Sequence, residues 1–347
     1  MAAYTAIDDP EAYFQTVLYT GDGAANEAIT LPGDTDMQPD LVWIKNRDAT
    51  DSHCLFDSVR GATKLLDPAE NSAETTDADT LDSFTSDGFQ VDADVKVNTS
   101  SEKYVAWCWK TGTAFSNDAS ATSVGTLDSA GSINTTSGIS IQIVTAEAAT
   151  DTIAHGLGVA PTVFFIKKQN ANDNWFCYFE KGIGNTSAIY FDTTGAPGAG
   201  NASWWNNTSP TSSVITIASY TSAAPNLLLC FAEKQGFSKF GTYEGNGDAD
   251  GTFVYTGFRP AYVLCISIDS TSSRHIFDNK REGYNIDNDA LVAEATTVEA
   301  TADQIDLLSN GFKFRIATDP NVAETYIYLA FAEAPFVNSE GVPCNAR

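Results

Sequence analysis

Basic residues are scarce in this chain: 19 Lys and Arg stand against 45 Asp and Glu in 347 residues, a formal charge of −26. Nucleic acid is held through Lys and Arg on phosphates, so this balance argues against binding DNA or RNA. It favours solubility and suits salty surroundings, where mutual repulsion is screened. Histidine is nearly absent. His53, His155 and His275 form no pair with metal-ligand spacing, and no Ser-His-Asp or Cys-His set is visible. Six cysteines lie at positions 54, 108, 177, 230, 265 and 344, too dispersed for a zinc site. Cys108, Cys177, Cys230 and Cys265 fall inside apolar strand patterns and read as buried free thiols, made in a reducing cytoplasm. Bridges Cys54–Cys108 or Cys177–Cys230 would stay within one module, but nothing in the spacing indicates them. No apolar run approaches the roughly 18 residues of a membrane span. The opening MAAYTAIDDPEAYF has no basic region and no apolar core, so no signal peptide is expected. Helical periodicity is equally rare, with residues 290–302 offering one short helix.

What the chain has is a repeat. Residues 39–61, PDLVWIKNRDATDSHCLFDSVRG, are matched by 161–184, PTVFFIKKQNANDNWFCYFEKGIG, and by 260–283, PAYVLCISIDSTSSRHIFDNKREG. Each starts at a proline, runs through apolar, β-branched or aromatic residues, breaks at a polar cluster and resumes as a short aromatic run. That is a strand, a turn and a second strand. A closing landmark follows each time: Tyr104-Val-Ala-Trp107, Leu228-Leu-Cys-Phe231 and Tyr328-Leu-Ala-Phe331, whose aromatics lie 68, 70 and 71 residues past Pro39, Pro161 and Pro260. A period this long means repeated domains rather than a solenoid of small units.

The expected fold is therefore all-β: three tandem antiparallel β-sandwich modules from internal duplication, each about 100 residues. The boundaries read as an N-terminal arm 1–13, module one 14–112, a Ser/Thr/Ala/Gly-rich linker 113–137, module two 138–238, module three 241–336 and a tail 337–347. Each organising strand is apolar on both faces and belongs in the centre of a sheet.

Four constellations could carry chemistry. Phe56-Asp57 with Arg60 recurs as Phe277-Asp278 with Arg281, while module two has Phe179-Glu180-Lys181; such a pair is a ligand clamp or, on the simpler reading, a lock for the turn after the strand. Asp248, Asp250, Asp287 and Asp289 sit in carboxylate-rich loops, the only candidate calcium ligands, but the terminal glutamate of the calcium loop is missing, so no metal or cofactor is expected. Trp204 and Trp205 are an aromatic pair outside any strand pattern, a candidate sugar platform or simply indoles tucked under a loop. Carboxylates for a glycosidase abound, but in so acidic a chain their presence alone says nothing.

Several stretches resemble a repeated domain of marine tailed-phage and prophage proteins: residues 38–47 (QPDLVWIKNR), 55–64 (LFDSVRGATK), Tyr104-Val-Ala-Trp107, 153–161 (IAHGLGVAP), 241–260 (GTYEGNGDADGTFVYTGFRP) and 326–336 (YIYLAFAEAPF). The opening IDDPEAYF at 7–14 is similar to the start of such proteins. The resemblance implies a tail-fibre-like structural role and supplies no catalytic residues. It leads to the expectation of a non-enzymatic virion protein on the particle surface, most naturally in the tail-fibre or receptor-binding apparatus, with capsid decoration and a polysaccharide-degrading tail enzyme as alternatives. Expected partners are other virion proteins, further copies in a symmetric homo-oligomer such as a trimer, and a host glycan or receptor; nucleic acid and membrane insertion are not expected. Tandem sandwiches would form a stiff rod, with the arm free to order against a neighbour.

Overall fold

The organising runs are apolar at consecutive positions, so as strands they must bury both faces. The computed structural model, which describes residues 4–344 apart from 147–149, 199–201, 219–223, 283–284 and 286, shows what covers each face. Strand makes up 46% of it and helix 5%, so the class is all-β. Module one contributes β1 (Phe14–Thr20), β2 (Glu27–Thr30), β3 (Leu41–Asn46), β4 (Cys54–Asp57), β5 (Lys64–Leu65), β6 (Thr75–Thr76), β7 (Leu81–Thr85), β8 (Gly88–Val91) and β9 (Lys103–Trp109). Then come β10 (Thr113–Asn117), β11 (Ser129–Asn134), β12 (Ile139–Thr145), β13 (Thr150–Ala154), β14 (Val163–Lys168), β15 (Phe176–Phe179), β16 (Ile189–Tyr190), β17 (Val214–Ala218) and β18 (Pro225–Phe231). Module three holds β19 (Ser238–Glu244), β20 (Phe253–Tyr255), β21 (Phe258–Ser267), β22 (Arg274–Asp278), β23 (Asp287–Val292), β24 (Ala300–Leu308), β25 (Gly311–Phe314) and β26 (Thr325–Pro335).

One antiparallel order occurs three times: β1-β9-β3-β4, β12-β18-β14-β15 and β19-β26-β21-β22. The organising strands β3, β14 and β21 are interior in each. Each four-stranded set packs one face on its own module's smaller strands: β2-β8-β7, β13-β17 or β24-β25-β20. The other face meets the other two modules. Thus β3 sends Val42 and Ile44 into its module core and Leu41 and Trp43 into a shared one. Strand β14 splits Phe164 and Ile166 from Val163 and Phe165 in the same way, and β21 splits Val263 and Cys265 from Tyr262, Leu264 and Ile266. The modules therefore close around a common apolar centre and do not extend as a rod. Their outer faces are too apolar to be left in water.

Register corrects the closing landmark in module one. Leu41 pairs with Trp109, Val163 with Phe231 and Tyr262 with Phe331, so Trp109 rather than Trp107 is the counterpart of the two phenylalanines. A slip of two residues keeps the same face, which is why the shorter separation still looked regular. In the shared centre the Trp109 and Phe331 rings lie 5.7 Å apart and Phe231 and Phe331 6.0 Å.

Contacts between modules run in a circle. Module one lays residues 67–74 on the turn between β14 and β15: Trp175 Nε1 donates to the Asp67 carbonyl at 2.9 Å, and Glu74 N to the Gln169 carbonyl at 2.7 Å. Module two lays 190–195 on the turn between β21 and β22, where Arg274 Nη2 donates to the carbonyls of Tyr190 at 3.0 Å and Gly195 at 2.7 Å. Module three closes the circle on the turn between β3 and β4, with His53 Nε2 3.1 Å from the Ala295 carbonyl and Glu299 N donating to the Arg47 carbonyl at 3.0 Å. By register, His53, Trp175 and Arg274 occupy one position, the residue that pairs just beyond Ile44, Ile166 and Cys265. Three chemically different side chains thus do one job, each buried and each donating to a neighbour's carbonyl. Burial pushes the His53 pKa down to about 3, so it does this as a neutral ring.

Three expectations change. Residues 113–117 and 129–134 are no linker: β10 and β11 pair onto the free edge of β12 and extend its sheet to seven strands. Their small residues suit a hairpin lying flat, and a Cβ on Gly131 would sit 1.9 Å from the Ile141 carbonyl oxygen. Residues 290–302 form no helix; Ala290 and Leu291 belong to β23 and face different cores. The N-terminal segment is no free arm either. Ile7 is buried in the shared centre, Ala6 N donates to the Gln235 carbonyl at 2.9 Å, and Thr5 Oγ1 reaches the same carbonyl at 3.0 Å. Gly236, at φ +80°, lies beneath Thr5 where a Cβ would fall 1.9 Å from its hydroxyl. Deleting residues 4–13 is therefore expected to cost roughly 3–6 kcal/mol, from one buried isoleucine and several buried hydrogen bonds. Urea denaturation of the truncated chain checks this; an unchanged midpoint would mean the segment is an appendage after all.

Candidate functional site

The repeated Asp–Arg motif resolves as a turn lock. Asp57 Oδ1 accepts from the amides of Val59 and Arg60, while Arg60 Nε donates to Oδ2 and Nη2 to the Leu55 carbonyl at 3.1 Å. Asp278 and Arg281 repeat every one of these bonds, with Nη2 on the Ile276 carbonyl at 2.8 Å. All four side chains are buried, so neither pair is open to a ligand. In module two the register puts Phe179, not Glu180, at the aspartate's place. Arg60 and Arg281 also reach the seams, pairing with Glu74 at 3.2 Å and Glu299 at 3.1 Å.

The other sequence candidates disperse. Trp204 and Trp205, on the helical turn Ala202–Trp205, are buried in module two's core. Trp205 Nε1 donates to the Ser187 carbonyl at 2.8 Å and its ring meets Phe164 edge-on at 4.7 Å. Burial removes both indole faces from solvent, so they cannot serve as a sugar platform. Asp250 pairs with Lys313 and Asp289 with Arg47 across the seam, while Asp248 accepts the Asp250 amide. The side chain of Asp287 lies outside the described residues. Among the described residues no three His, Cys, Asp or Glu converge on a metal position, and no helix is long and apolar enough to cross a membrane.

Sequence reading missed a cluster of Ser272, His275, Asp319 and Tyr326. Ser272 Oγ and His275 Nε2 both bond Asp319 Oδ2, at 2.6 and 3.0 Å, and Tyr326 OH bonds Oδ1 at 3.0 Å. Burial pushes the Asp319 pKa up, but the bonds from His275, Ser272 and Tyr326 outweigh it and hold the carboxyl below its ordinary value. A nucleophilic serine needs the imidazole as its acceptor. Here hydroxyl and imidazole converge on one carboxylate, which is a structural knot.

A groove of about 640 Å³ on module three is within the range of ligand pockets. It lies between β19 and β20, the two edges of the eight-stranded sheet. Tyr4 and Tyr255, each 59% exposed, stand in its walls with Phe336, and Glu233, Lys239 and Thr256 supply polar groups. Glu233 is fixed: it accepts the Phe240 amide at 2.7 Å and Lys181 at 3.2 Å, with Lys239 at 3.9 Å. Gly257, at φ +86°, turns the chain beside the Tyr255 phenol, and Gly341 packs against the Tyr4 ring. Phe253 projects from β20 on the same face as Tyr255 and is also exposed. Module one is an internal control. There β2 pairs with β8 as β20 does with β25, and Ala28 and Thr30, both exposed, stand where module three has Phe253 and Tyr255. The fold does not require aromatics at these positions. The sequence does carry the signal, in the outward aromatics of Phe253-Val-Tyr255 against Ala28-Ile-Thr30.

A family model described as a domain of unknown function, DUF7483, matches residues 9–335, nearly the whole chain. No curated protein matches it.

Proposed function

The chain belongs to the DUF7483 family, and we propose that it is a non-enzymatic component of a phage particle surface, acting by adhesion within the tail-fibre or receptor-binding apparatus. The observation that carries adhesion is the groove between Tyr4 and Tyr255: two large aromatics exposed to solvent on the surface of a packed body. The placement on a phage particle rests on the sequence resemblance. The charge of −26 suits an outward position, away from packaged DNA. Other virion proteins and further copies of the chain are its proposed neighbours. Labelling intact particles with antibody fragments and imaging them by cryo-electron microscopy tests this. Label at the tail tip or fibres is expected; label over the head would transfer the chain to capsid decoration, and absence from particles would remove the reading.

A further inference from the structure

We infer that the groove, extended along β20 to Phe253, binds a neutral saccharide chain, with Tyr4, Tyr255 and Phe253 stacking on the C–H faces of successive rings. This inference rests on the adhesive reading above and names its ligand class. Three observations lead to it. Large aromatics stand exposed where the equivalent strand of module one makes do with Ala28 and Thr30, so they are present for something outside the fold. Alternate residues of a strand lie about 6.7 Å apart on one face, so Tyr255 and Phe253 form a short row of platforms leading out of the groove. Amphipathic phenols with fixed hydroxyl and carboxylate neighbours suit a ligand that is apolar on its ring faces and polar at its edge.

Competing ligand classes fit less well. An extended peptide gains its affinity by adding a strand to a sheet edge. On the β19 side that edge is already spoken for: Glu233 accepts the Phe240 amide and Lys181 donates to the Phe240 carbonyl at 3.2 Å. An anionic polymer would need uncompensated cations, but the one cation among the described residues lining the groove, Lys239, lies 3.9 Å from the Glu233 carboxylate on a chain of charge −26.

The test applies the full-length chain, fluorescently labelled, to an array of neutral and acidic bacterial surface polysaccharides, alongside Tyr4→Ala, Tyr255→Ala and Phe253→Ala/Tyr255→Ala. The native chain is expected to retain at least one neutral polysaccharide. Tyr255→Ala should weaken that retention about tenfold and the double variant should abolish it, the scale expected for losing a stacking platform. All three variants should melt with the native protein, since exposed positions contribute little to stability. Retention of nothing, retention of acidic polymers alone, or equal retention by the tyrosine variants would overturn the inference. So would competition at the same residues by a virion protein in place of a glycan. Particle labelling is read separately, so a virion protein that binds no saccharide would sink this inference and leave the proposed function standing.

Discussion

From about pH 9 upward the protein is expected to lose stability steadily and to unfold. Burial pushes the thiols of Cys54, Cys108, Cys177, Cys230 and Cys265 far above their ordinary value, whereas an exposed thiol ionises near about 8.5. A group whose pKa is raised by folding gives stability that is complete below its unfolded pKa and drains away as pH climbs past it. Five thiols drain together. Lys45 and Lys167 act in the opposite direction: burial pushes each down to about 8, so the folded chain gives up their protons early and gains stability from pH 8 upward. Lys234 is pushed down by burial as well, so the offset is at most three protons against five, leaving a net loss of roughly 3 kcal/mol per pH unit. A domain stable by about 5–15 kcal/mol does not survive long on that slope. Above pH 10 the buried phenols of Tyr19, Tyr243 and Tyr262, also pushed up by burial, add to the fall. Circular dichroism between pH 7 and 11, with reductant present, reads this directly; a fold unchanged at pH 10.5 would contradict it.

Arg281→Ala is expected to cost about 3–5 kcal/mol, the usual cost of stranding one partner of a buried ion pair. Arg281 holds Asp278 at 2.6 Å, Glu299 at 3.1 Å and the Ile276 carbonyl at 2.8 Å, and its guanidinium lies 5.9 Å from the centre of the Trp107 ring of module one. Asp278 would keep two amides and Trp107 Nε1, which donates at 3.0 Å, but its charge would be left in a dry site. Lysine should not rescue it, because the fork that meets Asp278, Glu299 and a carbonyl together is particular to guanidinium. The shape of the urea transition carries more information than its midpoint. Arg281 sits on the seam between modules three and one, so the whole chain should shift as one transition. An early, separate transition worth about a third of the amplitude would mean that module three unfolds alone.

The strands were legible in the sequence because alternation and proline-led runs report local geometry directly. Both-face burial of residues 41–44 was legible too, but a strand apolar on both faces does not say what covers the second face. That is why the same pattern fits a rod of sandwiches and a closed ring equally well. The ring's seams were hidden for a different reason. His53, Trp175 and Arg274 share a position and a hydrogen-bonding task but no chemistry, and the carbonyls they meet are sequence-independent. Residues 113–137 read as a linker because Ser, Ala and Gly signal looseness as readily as they allow a hairpin to lie flat against β12. The tryptophan pair misled through its setting: a polar loop surrounds Trp204 and Trp205 in sequence, but a short helical turn rolls them inward. The groove was partly legible. Alternation puts Phe253 and Tyr255 on one face of any strand without saying that this face meets solvent, and only the comparison with β2 shows that the fold can do without them.

The closed ring is the claim on which the rest depends, and small-angle X-ray scattering from the monomeric fraction tests it most directly. A single compact body of 347 residues has a radius of gyration of about 20 Å. Three 100-residue sandwiches in a row, each of about 13 Å, would give roughly 30 Å and a long tail in the distance distribution. The account predicts the smaller value with one symmetric peak; the larger value would show that the modules stand apart, without the shared centre around Trp109, Phe231 and Phe331.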